Sequence, residues 1–274
     1  MKTFVVATDL SERSDRAVRR AIRLARKHDA ACHVLHVVDV ALPADMAEGL
    51  RAEVETRLRR FVDAQPGGTA AKVAAVTGDP LVTIAQEARR LEADIVLFGL
   101  HRSRPFLDNL RETTVERMVR MSRRPALLVR DPADHDYARI LAPVSFSGAC
   151  ATALSAARRL APQAEISAVH AVYLPFAGLT REHPGGAMDT ELTAEAEATR
   201  GEWCTAQGLP EELCVVTPIS GSLGEVIDRH IRSFKPDMIA LGAHTRSRFS
   251  THSLGSFAAA LLHDPPTDIL LAHP

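Results

Sequence analysis

The segment ADIVLFGLH occupies residues 93–101, and a closely related segment, PDMIALGAH, occupies residues 236–244. Each has the pattern of a buried strand that runs into a glycine and then into a loop. Four identities in and just after these segments share one spacing of 143 positions. They are Asp94 with Asp237, Gly99 with Gly242, His101 with His244 and Phe106 with Phe249. This spacing is far longer than a solenoid unit and indicates a duplicated domain.

The repeat divides the 274 residues into two domains of ordinary size. We expect the first domain at residues 1–133 and the second at residues 137–274, with a linker over residues 131–136. Each is long enough to bury a core of its own.

Short apolar runs alternate with amphipathic stretches along both halves, which predicts an α/β fold. We expect two doubly wound, open, parallel, five-stranded sheets with helices on both faces. The predicted strands of the first half lie at residues 2–8, 33–38, 72–77, 94–98 and 125–129. Those of the second half lie at residues 138–142, 165–172, 213–219, 238–241 and 268–272.

Two helices of the first half have patterns that predict which faces are buried. After the first strand, small and aliphatic residues recur at helical spacing, and the arginines, Arg20 among them, are expected on the opposite face. Residues 42–65 predict a helix that buries Met46, Leu50 and Val54 on one face together with Leu58, Phe61 and Val62.

Composition favours a cytoplasmic protein without a membrane segment. Apolar residues make up 46% and charged residues 24% of the chain, and no apolar run approaches the roughly 18 residues that would span a bilayer. The chain begins with a strand pattern rather than a signal peptide. The four cysteines are widely spaced and form no C-x-x-C pair, so we expect reduced, packed thiols.

Net charge argues against a nucleic-acid-binding protein. The chain has 23 basic and 19 acidic residues up to Asp134, and 10 basic and 15 acidic residues after it. An arginine-rich segment at residues 111–124 has no interleaved aromatic residues, as a single-strand-binding surface would. We therefore interpret this segment as a solvated helix face or a domain contact.

The carboxyl ends of the strands are the expected ligand site, because open parallel α/β sheets bind ligands in the crevice at that edge. In the first half this edge contains Asp9, Gly99 and the loop that follows Gly99. In the second half it contains Ser145, Gly242 and the following loop. Glycine there would let a ligand approach the backbone, and a helix that starts after the loop would suit phosphate.

At this point the sequence resembles the universal stress protein family, in tandem and over nearly all of both halves. The matching segments are VATDLS at 6–11, LHVV at 35–38, VTGDP at 76–80, ADIV at 93–96 with Gly99, TTVER at 113–117 and RPALLV at 124–129. The resemblance implies an adenine-nucleotide-hydrolase-like or flavodoxin-like fold. It also implies a role in stress response and signalling rather than catalysis.

In single-domain members of the family two subunits pair through their last strands. The resemblance therefore implies that residues 126–129 and 269–272 form this contact inside one chain, giving an internal pseudo-dimer. A homodimer of that pseudo-dimer is a further expectation, and the protein partners stay open.

Nucleotide-binding members of the family carry the loop G-x-x-G, nine residues, then G-[ST], which holds the phosphates, and an aspartate after the first strand that contacts the adenine end. Carried over, the first half has Gly99, Arg102, Glu112 and Thr113, with Asp9 as the aspartate. The second half has Gly242, Thr245, Gly255 and Ser256, with Ser145 in the place of the aspartate.

The resemblance thus implies ATP or AMP as ligand, with Mg²⁺ if ATP, and it favours the second half. Glu112 would stand near phosphate oxygens in the first half, where like charges about 4 Å apart repel by roughly 1 to 4 kcal/mol. Gly255 and Ser256 keep the phosphate end of the motif in the second half.

The residues alone leave two other functions open. One is a slow nucleotide hydrolase or nucleotidyl-transfer enzyme, although no G-x-x-x-x-G-K-[ST], G-x-S-x-G or H-E-x-x-H motif is present. The other is a nucleotide-free scaffold that binds a metal or a lipid. His101 and His244, with His252 or Asp108, are the candidates for a zinc site, but their spacing is not that of a dense ligand set. His36 and His170 are expected to be satisfied core histidines.

Overall fold

A computed structural model describes the arrangement of most of the chain. The described residues are 1–39, 44–100, 114–173, 187–210, 213–219, 223–243 and 256–274. Of the expected site residues, Thr113, Thr245 and Gly255 lie outside these ranges, as do the four zinc candidates.

Strands and helices alternate in the order expected from the sequence. The first half consists of β1 Thr3–Ala7, α1 Glu12–Lys27, β2 Ala31–Asp39, α2 Ala44–Asp63, β3 Lys72–Gly78, α3 Pro80–Arg90, β4 Ile95–Gly99, α4 Thr114–Ser122 and β5 Ala126–Val129. The second half consists of β6 Arg139–Pro143, α5 Gly148–Leu160, β7 Glu165–Tyr173, α6 Ala187–Gln207, β8 Cys214–Ile219, α7 Leu223–Phe234, β9 Met238–Gly242, α8 Ser256–His263 and β10 Asp268–Ala272. A short 3₁₀ turn, Gly68–Ala70, follows α2.

The two expected five-stranded sheets are present and join into one ten-stranded sheet. The strand order is β3-β2-β1-β4-β5-β10-β9-β6-β7-β8. The strands within each half are parallel, whereas β5 and β10 are antiparallel, with Leu127 opposite Leu270 and Leu128 opposite Ile269. The expected pairing of the two last strands is confirmed.

The helices cover both faces of this sheet, as the continuous apolar strands require. One core lies under α1, α2, α5 and α6, and includes Phe4 and Ile140 from the sheet. The other lies under α3, α4, α7 and α8, and includes Val5 and Leu141. Neighbouring residues of one strand enter opposite cores because side chains alternate across a sheet.

The amino-terminal part of α2 departs from the prediction. Its buried residues are Ala47, Val54, Leu58 and Val62, whereas Met46 is 59% exposed and Leu50 39% exposed. The helix begins at Ala44 and its first two turns carry these two apolar side chains outside the core. The predicted apolar face is therefore wrong over those turns.

Arg20 is buried and does not belong to a solvated arginine face, so that interpretation was wrong. Its side chain is 1% exposed, and its two terminal nitrogens donate to His135 O at 2.6 Å and Pro132 O at 2.8 Å. Its guanidinium lies 4.6 Å from the centre of the Tyr137 ring. The linker is thus held against α1 by an internal arginine.

Asp94 and Asp237, the repeated aspartates, perform the same structural task at the amino edge of the sheet. Asp94 Oδ2 accepts from the amides of Lys2 at 2.5 Å and Thr3 at 3.1 Å. Asp237 Oδ2 accepts from the amides of Ala138 at 2.7 Å and Arg139 at 2.8 Å. Each carboxylate fixes the start of a central strand, so this identity in the repeat belongs to the fold and not to the ligand site.

Candidate functional site

The carboxyl edge of each half is shaped by a short loop from a central strand to the helix that follows it. Ser11 caps α1 by accepting from the Ser14 amide at 3.3 Å, and Ser147 caps α5 by accepting from the Cys150 amide at 3.3 Å. The residues one position earlier, Leu10 and Phe146, have φ angles of 65° and 56°. The two loops therefore have one backbone shape and differ only in their side chains.

The loop of the first half is polar and carries a negative charge. Asp9 is exposed, and its Oδ1 accepts from the Ser11 amide at 3.0 Å and the Ser11 hydroxyl at 2.5 Å. Partial burial raises the pKa of Asp9, but the hydrogen bonds from Ser11 and Ser14 outweigh that effect and lower the pKa below its ordinary value. The carboxylate expected at the adenine end is thus present, oriented and ionised at neutral pH.

The loop of the second half has a neutral side chain at this position. Ser145 is exposed, and its amide donates to Cys150 Sγ at 3.4 Å, while its hydroxyl lies 3.8 Å from the same sulfur. In the first half Ser14, which corresponds to Cys150, has its hydroxyl 2.8 Å from the hydroxyl of Thr8, which corresponds to Val144. A valine and a cysteine replace that pair in the second half, so the floor of its crevice is less polar.

His36 and His170 occupy equivalent places beside these loops. His36 Nδ1 lies 2.9 Å from Thr8 O, and His170 Nδ1 lies 2.9 Å from Val144 O. A carbonyl oxygen only accepts, so Nδ1 carries the proton in both rings. The expected hydrogen bonds of both histidines are confirmed, although the two residues are half-buried at the crevice and not in the core.

An aromatic cluster beside Ser145 was missed by the sequence analysis. The rings of Phe146 and His170 are stacked with centres 4.1 Å apart, and Phe146 lies 5.6 Å from Trp203. Trp203 Nε1 donates to Ser147 O at 3.2 Å, which ties α6 to the start of α5. The signal in the sequence was the exchange of Leu10 for Phe146 at the same place in the repeat.

Gly99 and Gly242 lie at the ends of β4 and β9, next to these loops, as expected. A Cβ atom on Gly99 would lie 2.6 Å from Ser14 Cα, and one on Gly242 would lie 2.6 Å from Cys150 N. Such distances are far below van der Waals contact, so the first turns of α1 and α5 require glycine here. Close helix packing accounts for both glycines without a ligand.

The structure thus brings Asp9 and Gly99 to one crevice and Ser145 and Gly242 to the other. Helix α8 begins at Ser256, directly after the expected phosphate loop of the second half, although its side chain is not described. The positions of Thr113, Thr245 and Gly255 relative to the crevices stay predictions.

Within the described ranges no group of three or more His, Cys, Asp or Glu residues is arranged to hold a metal ion. All four cysteines are buried thiols outside any disulfide bond, as expected. None of the described helices combines the length and apolarity needed to cross a bilayer.

The sequence matches a known protein family over both halves of the chain. The model of the Universal stress protein family matches residues 1–130 and again residues 136–273. A universal stress protein of Methanocaldococcus jannaschii is 28% identical over 141 residues, which cover 48% of this chain and 83% of that protein.

Solved structures show the same fold over the whole length. A universal stress protein from Archaeoglobus fulgidus has a TM-score of 0.66 and 19% identity, covering 99% of this chain and 98% of that one. A putative universal stress protein from Pseudomonas aeruginosa has a TM-score of 0.64 and 16% identity, covering 100% of this chain and 94% of that one. At these identities the likeness concerns the fold alone.

Proposed function

The chain belongs to the universal stress protein family, and from this premise we propose that it binds an adenine nucleotide, ATP or AMP, in the crevice of its second half. Its role is then that of a non-enzymatic protein of stress response and signalling, whose second half senses the nucleotide. The first half supports the second through the shared sheet.

The choice of the second half rests on the phosphate end of the motif. The second half keeps Gly255 and Ser256, whereas the first half has Glu112 in the place of Gly255. In the first half that carboxylate would stand near the phosphate oxygens, where like charges about 4 Å apart repel by roughly 1 to 4 kcal/mol. The second half has no acidic residue at this position, so its crevice suits an anion better.

The adenine end of the proposed site is the apolar surface around Phe146. This ring lies against the small buried cluster of Val172 and Val216, and His170 covers it from one side. Aromatic and aliphatic surface of this kind favours a purine ring, while Ser145 supplies a polar atom beside it. The first half has Leu10 in place of Phe146 and offers less aromatic surface.

The phosphate end of the proposed site consists of Gly242, Thr245, Gly255 and Ser256. The first turn of α8 supplies backbone N–H groups that have no partner within the helix, and the helix dipole favours negative charge there. In the proposal Gly255 lets the phosphates approach, and Mg²⁺ accompanies ATP through its phosphate oxygens and water.

Isothermal titration of the full chain with AMP, and with ATP in the presence and absence of Mg²⁺, tests this proposal. We expect one nucleotide per chain, and we expect Gly255→Glu, which introduces the residue found at position 112, to abolish binding. The matched control is Glu112→Gln in the first half, which should leave the affinity unchanged.

Two results would contradict the proposal. One is unchanged affinity of Gly255→Glu, and the other is loss of binding on Glu112→Gln with Gly255 intact. Phosphate release measured on the same samples decides whether bound ATP is hydrolysed. Titration with Zn²⁺ in place of nucleotide tests the metal-binding scaffold.

A further inference from the structure

A groove lies along helix α5 of the second half and reaches the amino edge of the sheet. Its volume is about 800 Å³, and it is bounded by α5 from Ala151 onward, the start of β7, and the end of α6 with the residues that follow it. Its walls include Ser155, Arg158, Arg159, Ile166, Leu209 and Leu213. Grooves of roughly 300 to 1,000 Å³ hold small-molecule ligands in proteins.

The two sides of this groove have different chemistry. Arg158 and Arg159 form a basic side, and Ile166, Leu209 and Leu213 form an apolar side. No carboxylate lines it among the residues that the structure describes, which do not include Glu211 and Glu212. Such a surface matches a molecule with an anionic group at one end and an apolar body at the other.

The two guanidinium groups are not equally engaged. One terminal nitrogen of Arg159 donates to Asp94 Oδ1 at 2.6 Å, which links the second half to the first and holds the Arg159 side chain in place. Arg158 is exposed and forms no ion pair within the described ranges. Among the described residues, Asp94 pairs with Arg159 and no carboxylate pairs with Arg158. The positive charge of Arg158 is therefore available to a ligand.

The first half closes the equivalent place with its own side chains. Arg19, which corresponds to Ser155, donates to Gln65 Oε1 at 3.2 Å and lies 5.5 Å from the centre of the Phe61 ring. Arg26, which corresponds to Pro162, packs so tightly that a Cβ on Gly67 would lie 3.2 Å from its Cδ. Two long side chains thus bridge α1 and the end of α2.

The groove of the second half exists because Ser155 and Pro162 are too short to make that bridge. Beside these positions Arg158 takes the place of Ile22 in the first half, whereas Arg159 corresponds to Arg23. The added space and one of the two positive charges therefore arise from positions that differ between the halves.

We infer that this groove binds an amphipathic organic anion, that is, a carboxylate or sulfonate carried on an apolar body. The guanidinium groups of Arg158 and Arg159 pair with the anionic group, for which arginine provides two parallel N–H donors. The apolar body lies against Ile166, Leu209 and Leu213. The proposed anion contacts are separate from the nucleotide crevice, because Arg158 and Arg159 lie in the last turn of α5 and the crevice loop lies at its other end, at Ser147.

The test uses fluorescence titration of the full chain with 8-anilinonaphthalene-1-sulfonate, an aromatic sulfonate, and with the uncharged N-phenyl-1-naphthylamine. We expect saturable binding of the sulfonate at one site and weaker binding of the neutral probe. Ser155→Met, which fills the space without adding a charge, and Arg158→Gln should each weaken binding roughly tenfold or more, because the first removes space and the second a charged donor.

Arg57→Gln, on the exposed side of α2, is the matched control and should leave binding unchanged. Far-ultraviolet circular dichroism and the thermal midpoint check that each variant is folded. Equal affinity for the two probes, or full affinity in Ser155→Met, would overturn the inference. Displacement of the sulfonate by saturating AMP would also overturn it, by placing the probe in the crevice. If AMP does not bind, the sulfonate titration still tests the groove. Failure of the proposed function can therefore be told apart from failure of this inference.

Discussion

Arg20 of α1 and Asp268 of β10 form an ion pair inside the protein, with Nε and Oδ2 3.5 Å apart and both side chains at most 1% exposed. The pair joins the two halves at the middle of the ten-stranded sheet. Asp268 also accepts from the Arg130 amide at 2.7 Å, the Asp131 amide at 2.8 Å and the Tyr137 hydroxyl at 2.5 Å. The contacts from Arg20, Arg130 and Asp131 thus join this carboxylate to the first half and the linker, and Tyr137 adds a hydrogen bond from its own half.

Replacement of Asp268 by asparagine is expected to destabilise the chain by about 3 to 5 kcal/mol, because Arg20 would be left as an uncompensated buried charge. Urea unfolding followed by circular dichroism measures this loss. The control is the double variant Arg20→Met with Asp268→Asn, which should lose less than the sum of the two single variants. Strict additivity would show that the pair is not coupled.

Asp136 gives the linker a pH-dependent attachment to α1. Hydrogen bonds from Lys27 at 2.9 Å and Arg23 at 2.7 Å lower the pKa of Asp136 to about 2. Because the pKa is lower in the folded state, the stabilisation is present above the ordinary pKa of 3.8 and is lost as pH falls through about 2. The side chain is 45% exposed, so solvent screening limits the effect to about 1 kcal/mol or less.

Asp136→Asn should therefore be less stable than the native chain at pH 6, and the difference should shrink between pH 4 and pH 2. Unfolding by urea at a series of pH values measures it. A difference that stays constant over this range would assign the effect to packing and not to charge.

Alanine at Gly99 or Gly242 is expected to destabilise the chain by about 1 to 3 kcal/mol, because the added methyl would meet the backbone of α1 or α5. Gly49, inside α2, has nothing within 4 Å of the position of a Cβ. Gly49→Ala is the matched control and should stabilise the chain by up to about 1 kcal/mol through helix propensity. Thermal unfolding of the three variants distinguishes them, and equal midpoints would contradict the packing argument.

Asp94→Ala and Asp237→Ala compare the two strand anchors directly. Both variants lose two hydrogen bonds from backbone amides, and Asp94→Ala also loses the contact from Arg159 at 2.6 Å. We expect each to cost about 1 to 3 kcal/mol, with the larger loss at Asp94. Chemical unfolding gives the order, and Arg159→Gln should reduce the difference between the two.

A chain cut between Ala133 and Asp134 tests the proposed domain boundaries. The β5–β10 pairing and the ion pair of Arg20 with Asp268 are buried, so the two fragments should co-purify at a ratio of one to one when they are made together. Asp268→Asn in the second fragment should weaken this association. Fragments that behave as independent monomers would contradict the expected association of the two halves.

The order of strands and helices was predictable from two patterns. Buried parallel strands appear in the sequence as short apolar runs, and the apolar residues of the helices that cover the sheet recur at helical spacing. The pairing of β5 with β10 followed from the family resemblance, since periodicity does not show which edges meet. The hydrogen bonding of His36 and His170 was predicted correctly because each is a polar residue in an apolar strand, where a partner is required.

The missed features depend on contacts between distant parts of the chain. In the sequence of α1, Arg20 looks like the other arginines of that helix. Its burial depends on the linker carbonyls and Asp268, which bind its guanidinium and lie far away in the sequence. The contact of Phe146 with Trp203 joins the loop before α5 to helix α6, which are far apart in the sequence. The groove beside Arg158 arises from short side chains, which show their effect only when the two halves are superposed.

The antiparallel junction of β5 with β10 fixes the stoichiometry of the two halves. Each first half meets one second half as soon as the chain is made, and the same edge is no longer free for another copy. In a dimer of identical subunits a substitution in the pocket appears twice, whereas here Ser145 could replace aspartate in one lobe while Asp9 stayed in the other. Covalent pairing thereby allows the two lobes to evolve towards different ligands within one particle.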